Sequence, residues 1–274
     1  MNISDKKSKE KLKLIYKQNE NENENENEKK LKLTVFMGHK NRAILALKSI
    51  PIYKKYLDNA PFDYEIIICD DHSEKSEIEM LSYLVSPIIK LCKVNDDQHS
   101  YNAVSTMNAI AEQSTGDVFL LASTETIPIN NMFIEKVQKM TPKKYIVGSC
   151  LALGFWGTSR FLTTPFERIN TIDWANQDAR WYQHSIHNNR QLNFFSLINR
   201  DDWQLINGFN SEMTDTKAHD DDDFLRRLRE SGVQVVSDDE MTSVHLCHYL
   251  NGDGHQLGGH LTWTNFLNQT EIKL

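Results

Sequence analysis

Gly208-Phe209-Asn210, followed by His219-Asp220-Asp221-Asp222-Asp223-Phe224-Leu225-Arg226-Arg227-Leu228, is the stretch whose reading decides this fold. Adjacent carboxylates repel one another, so such a run calls for a cation, a basic ligand or open water beside it. The residues after the acids are helical in pattern. Phe224, Leu225 and Leu228 make an apolar stripe, and Asp223 precedes Arg227 at the spacing of a supportive ion pair. The acids therefore fall in the first turn of a helix, where the dipole favours negative charge. One or two can face a pocket while the helix behind them packs into a core. Taken alone, the run also reads as the solvated start of an acidic helix.

The rest of the chain narrows the choice. Its 274 residues hold one large domain or two modest ones, with 39% hydrophobic and 25% charged residues, as in an ordinary globular protein. The net charge of -7 argues against a nucleic-acid partner. No apolar run reaches the ~18–20 residues of a membrane span. The opening Met1-Asn2-Ile3-Ser4-Asp5-Lys6-Lys7 lacks the apolar core of a signal peptide. Cys69, Cys92, Cys150 and Cys247 are widely spaced and read as reduced thiols of an intracellular, cytoplasmic protein. Residues 1–30 carry an Asn-Glu repeat with no apolar face, and are expected to be a disordered low-complexity segment. With the Asn- and Lys-rich composition, that repeat fits an AT-rich genome, viral or parasitic.

From Leu31 onward, strands and helices alternate. Strands are expected at Leu33–Met37, Tyr64–Cys69, Ile88–Val94 and Val118–Ala122, with helices starting at Arg42 and covering Ala103–Gln113. Near-continuous β-branched residues in Tyr64–Cys69 fit a strand buried on both faces. Strands separated by helices imply an α/β chain with a parallel sheet and right-handed crossovers. In such sheets ligands bind beyond the carboxyl ends of the strands. Two polar groups fall there: Asp70-Asp71-His72-Ser73, suited to a base N–H or ribose hydroxyls, and Ser123-Thr124-Glu125, suited to a hard divalent cation. Neither a Gly-x-Gly-x-x-Gly nor a phosphate-loop motif occurs, which argues against a dinucleotide fold of the usual kind and a P-loop NTPase.

In their order and spacing these segments resemble the family-2-type glycosyltransferases with the A-type nucleotide-sugar-binding fold. The resemblance rests on a strand followed by Asn41-Arg42, a strand ending in Asp70-Asp71-His72-Ser73, and Asn108 on a helix. Gly116-Asp117 and a strand ending in Ser123-Thr124-Glu125, in place of Asp-x-Asp, come next. Gly208-Phe209-Asn210, Asp220–Leu228, Gly232 and a closing strand with His245 complete the set. It covers roughly residues 31–250. It implies a Rossmann-like, mostly parallel central sheet flanked by helices. A nucleotide-sugar-binding half at 31–128, an acceptor-binding and catalytic half at 129–250, and a tail or lid at 251–274 follow from it.

The function implied is an inverting, metal-dependent transfer of a sugar from a UDP-sugar to a carbohydrate hydroxyl. Mn²⁺ or Mg²⁺ would be held by Glu125 and His245. Asp221 would be the general base, and Asp220 would hydrogen-bond the acceptor. Asn41, Arg42, Asp70, Asp71, Asn108 and Ser123 would face the nucleotide-sugar. Asp223 is expected to pair with Arg227 instead. The Trp-rich segment at Trp156, Trp174 and Trp181 suits a glycan acceptor, since aromatic faces stack on sugar rings, and Trp156 and His184 are the expected acceptor contacts. His245-Leu246-Cys247-His248 resembles half a zinc site, but no second Cys/His pair stands at a usual zinc spacing. Two rivals remain: a nucleotidyltransferase, which the missing Gly-rich loop disfavours, and a nucleotide-sugar- or carbohydrate-binding module without turnover, which Ser123 keeps open.

Overall fold

A computed structural model describes residues 30–94, 102–174, 176–177, 179–213 and 219–248. The Asn-Glu repeat and the Gly-rich tail lie outside the described residues, as does the expected lid.

The first half is a run of parallel strands with helical crossovers. It comprises β1 (Lys32–His39), α1 (Ala43–Leu57), β2 (Asp63–Asp70), α2 (Lys75–Ser82), β3 (Ile89–Lys93), α3 (Ala103–Gln113) and β4 (Val118–Ser123). β1 pairs in parallel with both β2 and β4, and β2 pairs in parallel with β3. Leu33, Val35, Phe36 and Met37 of β1 are fully buried, as strands covered on both faces must be. The helix after β1 passes Pro51 rather than stopping near it. Ile52, Tyr53 and Leu57 lie inside the protein, and Tyr53 Oη donates to the carbonyl of Thr126 at 3.0 Å. Burial of that face outweighs the one backbone hydrogen bond the proline forfeits.

The second half adds β5 (Thr126–Pro128), α4 (Met132–Gln138), β6 (Lys144–Leu153), α5 (Phe155–Thr163) and a 3-10 turn at Phe166–Thr171. β7 (Ala179–Gln183), β8 (Ser196–Asn199), α6 (Arg200–Leu205), α7 (Asp220–Glu230) and β9 (Gln234–His245) follow. The described strands make one sheet in the order β3-β2-β1-β4-β8-β6-β9-β5, with β7 beside β6. β8 runs antiparallel between β4 and β6, whereas the longest pairing of this half, β6 with β9, is parallel. The sheet is thus continuous across residue 128.

The acidic helix is held by its apolar stripe. Phe224, Leu225 and Leu228 are buried, and the Phe224 ring stacks on Phe209 at 4.3 Å and meets Tyr145 edge-on at 5.8 Å. Three such side chains contribute at most about 5–9 kcal/mol by buried area. Arg227 fastens the preceding loop. Its Nε meets Asp223 Oδ2 at 2.7 Å, and its Nη1 donates to the carbonyls of Ile206 and Gly208, both at 2.6 Å. Gly208 has φ +63, and a Cβ there would stand 2.7 Å from Asn108 Oδ1 and 2.9 Å from the Trp203 ring. Only glycine fits that turn. The motif of Gly208, Asp223 and Arg227 is therefore a brace that fixes where Asp220 and Asp221 stand.

Candidate active site

Register puts the polar ends of three strands level. His39 of β1 lies opposite Asp70 of β2, and Gly38 lies opposite Ser123 of β4. Past β4 the chain turns into β5, where Thr126 pairs with His245, the last residue of β9. The amide of Leu246 donates to the carbonyl of Glu125 at 2.8 Å. Backbone pairing thereby brings Glu125 beside two histidines far away in sequence.

His248 Nε2 lies 3.5 Å and His245 Nε2 3.9 Å from Glu125 Oε1. One donor atom from each of the three lies within 4.8 Å of the other two, and no other such cluster of His, Cys, Asp or Glu occurs among the described residues. A carboxylate oxygen with two imidazole nitrogens fits a divalent transition ion such as Mn²⁺, and suits Mg²⁺ less, since Mg²⁺ prefers oxygen ligands. Burial, opposed by Glu125 and reinforced by Arg42, lowers His245 to about 4, so its imidazole is neutral, the ligating form.

The cluster is braced from β1. Arg42, just before α1, places Nη1 2.5 Å from Glu125 Oε1 in a pair buried on both sides. Thr124 Oγ1 lies 3.2 Å from Glu125 Oε2 and 3.3 Å from His39 Nδ1. Burial, with the Arg42 charge adding to it, lowers His39 to about 3, which keeps that imidazole neutral as well. Ser123, at the first position of the acidic strand-end motif, shares a 3.0 Å hydrogen bond with Thr126 Oγ1.

Asp70 and Asp71 differ in what they touch. Asp71 Oδ2 accepts from the Asn102 amide at 2.7 Å, and its Oδ1 meets His72 Nδ1 at 2.9 Å. Asp70 is 1% exposed, accepts from Ser73 N at 3.2 Å through Oδ2, and has no partner among the described residues at Oδ1. A buried carboxylate oxygen left open is costly unless something binds there. Asn41, at φ 51, ties the β1 and β2 ends together. Its amide donates to Ser73 Oγ at 2.8 Å, and its Oδ1 accepts from Glu74 N at 2.8 Å. Asn108 grips the Phe209 backbone at both ends of its amide, at 2.9 and 3.0 Å, and so braces the loop before the acidic helix.

Asp221 is half-buried and held by Asn193, whose Nδ2 donates to its Oδ1 at 2.6 Å. Asn193 Oδ1 in turn accepts from the Tyr145 hydroxyl. Burial and then the neighbouring Asp220 charge raise Asp221 to about 7, the range a general base needs near neutrality. Burial raises Asp220 too. Asp222 is exposed. The residue after Asn193, Phe194, sets its ring 5.3 Å from His245 and 5.1 Å from Tyr182, which is itself 5.4 Å from His245. Asn193 and Phe194 therefore reach from the Asp221 side to the histidine side. Trp156 is 73% exposed at the start of α5. His184 has the rings of Trp181 at 4.3 Å and His187 at 4.5 Å.

His248, Asn193 and Tyr145 were not among the residues expected from sequence. His248 had a signal in the His-x-x-His spacing with His245, which points to a metal once a carboxylate joins it. Asn193 and Tyr145 carried none.

No protein-family model and no curated protein matches the chain. Solved structures do. The catalytic domain of Drosophila beta1,4galactosyltransferase 7, in complex with xylobiose, aligns with TM-score 0.51 and 12% identity, over 88% of this chain and 80% of that one. GalNAc-T7 with UDP, GalNAc and Mn²⁺ aligns with TM-score 0.56 and 13% identity, over 90% of this chain. The mannosyltransferase PcManGT from Pyrobaculum calidifontis, in complex with GDP-Man and Mn²⁺, aligns with TM-score 0.50 and 14% identity, over 78% of this chain. The chain spans 48% and 56% of the latter two. At these identities the likeness establishes the fold: this chain has the A-type glycosyltransferase fold. Among the described residues, no helix is long and apolar enough to cross a membrane.

Proposed function

We propose that the chain is an inverting, metal-dependent glycosyltransferase that moves a sugar from a UDP-sugar to a carbohydrate hydroxyl. The observation that carries this reading is the Glu125–His245–His248 cluster at the strand ends of an A-type fold. The two imidazoles favour Mn²⁺ over Mg²⁺, and the GalNAc-T7 and PcManGT structures contain Mn²⁺ with a nucleotide or nucleotide-sugar. Glu125, His245 and His248 would hold the ion, which when bound supplies Lewis-acid neutralisation of the leaving diphosphate.

The chain's own residues divide the remaining work. Asp70, with Oδ1 open, binds a hydroxyl or base N–H of the nucleotide, and Asp71 supports it by fixing Asn102. Asp221 takes the proton of the acceptor hydroxyl, a role worth ~10²–10⁴-fold in rate. Asn193 orients that carboxylate, and Asp220 holds the acceptor in line. Direct attack by the hydroxyl inverts the anomeric centre. Trp156, exposed and close to the end of β6, offers a ring face to a glycan acceptor, with His184 as a second contact.

A panel of UDP-, GDP- and other nucleotide-sugars with Mn²⁺, scored by release of free nucleotide with and without a mixed glycan acceptor pool, tests this. The expected result is metal-dependent release from a UDP-sugar that is lost in Glu125→Ala. Calorimetric binding of the nucleotides without release in any arm supports a binding module. Absence of both sinks the reading.

A further inference from the structure

The oxygen of Glu125 that faces both imidazoles is the one already occupied by a guanidinium. Arg42 Nη1 is 2.5 Å from Oε1, against 3.5 Å for His248 and 3.9 Å for His245, and Thr124 takes the other oxygen. The Arg42 and Glu125 side chains are 3% and 5% exposed. A buried carboxylate without a counter-charge is strongly destabilising, so in the metal-free protein Arg42 is what makes Glu125 tolerable. Arginine stays charged at every accessible pH and cannot yield by losing a proton.

Charge counting then sets a conflict. Ser123 stands where a second acid would, so Glu125 is the carboxylate of the cluster. One carboxylate, one guanidinium and one divalent ion sum to two positive charges in a pocket largely closed to water, where like charges repel far more than at the surface. A diphosphate brings the missing negative charge. It is also a better partner for a displaced guanidinium than water, because planar N–H pairs match phosphate oxygens.

We propose that Arg42 is a resident counter-ion of Glu125 that yields its place to the divalent ion and moves to the diphosphate of the donor, so that metal and nucleotide bind cooperatively. This rests on the metal-dependent reading above. It assigns Arg42 two successive anionic partners, a carboxylate in the resting protein and a diphosphate in the loaded one. The resting protein holds its metal weakly, and an ion without nucleotide leaves readily.

The test is Mn²⁺ binding by the full chain, followed by electron paramagnetic resonance of free Mn²⁺ and corrected for Mn²⁺–UDP complexes in solution. Wild type is expected to bind weakly alone and about tenfold or more tighter with UDP, within the usual range of coupling between sites. Arg42→Gln is expected to bind tightly without UDP and to gain little from it, while Arg42→Lys, which keeps a charge but can shed it as a proton and lacks the planar N–H pairs, falls between the two. Equal Mn²⁺ affinities in wild type and Arg42→Gln, both weakened by His248→Ala, overturn the counter-ion role and leave the metal site standing. No Mn²⁺ binding by any form, with or without UDP, ends the metal reading itself. Should Arg42→Gln fail to fold, wild type decides alone, since UDP that leaves its Mn²⁺ affinity unchanged overturns the proposal.

Discussion

Asn193 donates a 2.6 Å hydrogen bond to Asp221 while accepting one from Tyr145, so the carboxylate at the start of α7 is aimed from the opposite side by a loop amide. That bond favours the charged form of Asp221 and opposes the burial that raises it to about 7. Asn193→Ala is therefore expected to move the acid limb of the pH–rate profile upward and to lower kcat/KM at pH 7 about tenfold, the scale of one charge-assisted hydrogen bond. A rate loss with an unmoved profile would show that Asn193 only supports the fold.

Asp221→Asn separates catalysis from stability. The folded carboxyl keeps its proton to about 7, whereas an unfolded aspartate loses it near 3.8. Between those values the folded state binds more protons, so Asp221 makes stability fall as pH rises through that window. The asparagine variant is expected to lose ~10²–10⁴-fold in turnover. It should melt above wild type at pH 8 and level with it near pH 4, as thermal melts at several pH values will read.

His248→Ala removes one of the two imidazole nitrogens that face Glu125 Oε1. Calorimetric Mn²⁺ affinity, measured with UDP present, should fall by about tenfold or more, as loss of a donor does at sites of few ligands. Chelation of wild type should abolish nucleotide release, with Mn²⁺ restoring it better than Mg²⁺. An unchanged affinity in the variant would remove His248 from the ligand set.

Asn108→Ala probes whether that residue serves ligand or frame. Its side-chain amide is engaged by the Phe209 backbone at 2.9 and 3.0 Å. Losing both bonds should cost about 1–3 kcal/mol of stability by denaturant unfolding, with donor KM unchanged. A large rise in KM at unchanged stability would make Asn108 a donor contact instead.

Legibility in the sequence followed how local each signal is. The bounds of α3 come out as Ala103–Gln113 from the sequence and from the structure alike, because its apolar spacing lies within the segment itself. β2 was legible for the same reason: continuous β-branched residues mark a strand buried on both faces. Asp223 and Arg227 were legible as a pair because their spacing alone sets them on one helix face. The far end of α1 was not legible, since burial of Tyr53 and Leu57, which carries the helix past Pro51, depends on the sheet beneath. Arg42 and Glu125 each carried a motif, yet their pairing depends on β1 and β4 lying side by side. His248 follows β9 and meets Glu125 only through the β5–β9 register, which nothing near either residue encodes.

That register has a consequence in the order of synthesis. β9 leaves the ribosome after every other described strand, yet it lies inside the sheet, between β6 and β5. Until it arrives, β6 presents a long unpaired edge of nine registered positions, from Lys144 to Ala152, and Glu125 has no histidine beside it. An unfinished chain is thus at its most adhesive when it cannot yet bring the histidines to Glu125. The same insertion that closes the sheet brings both histidines to Glu125, so the Glu125–His245–His248 cluster exists only once the last described strand is in place.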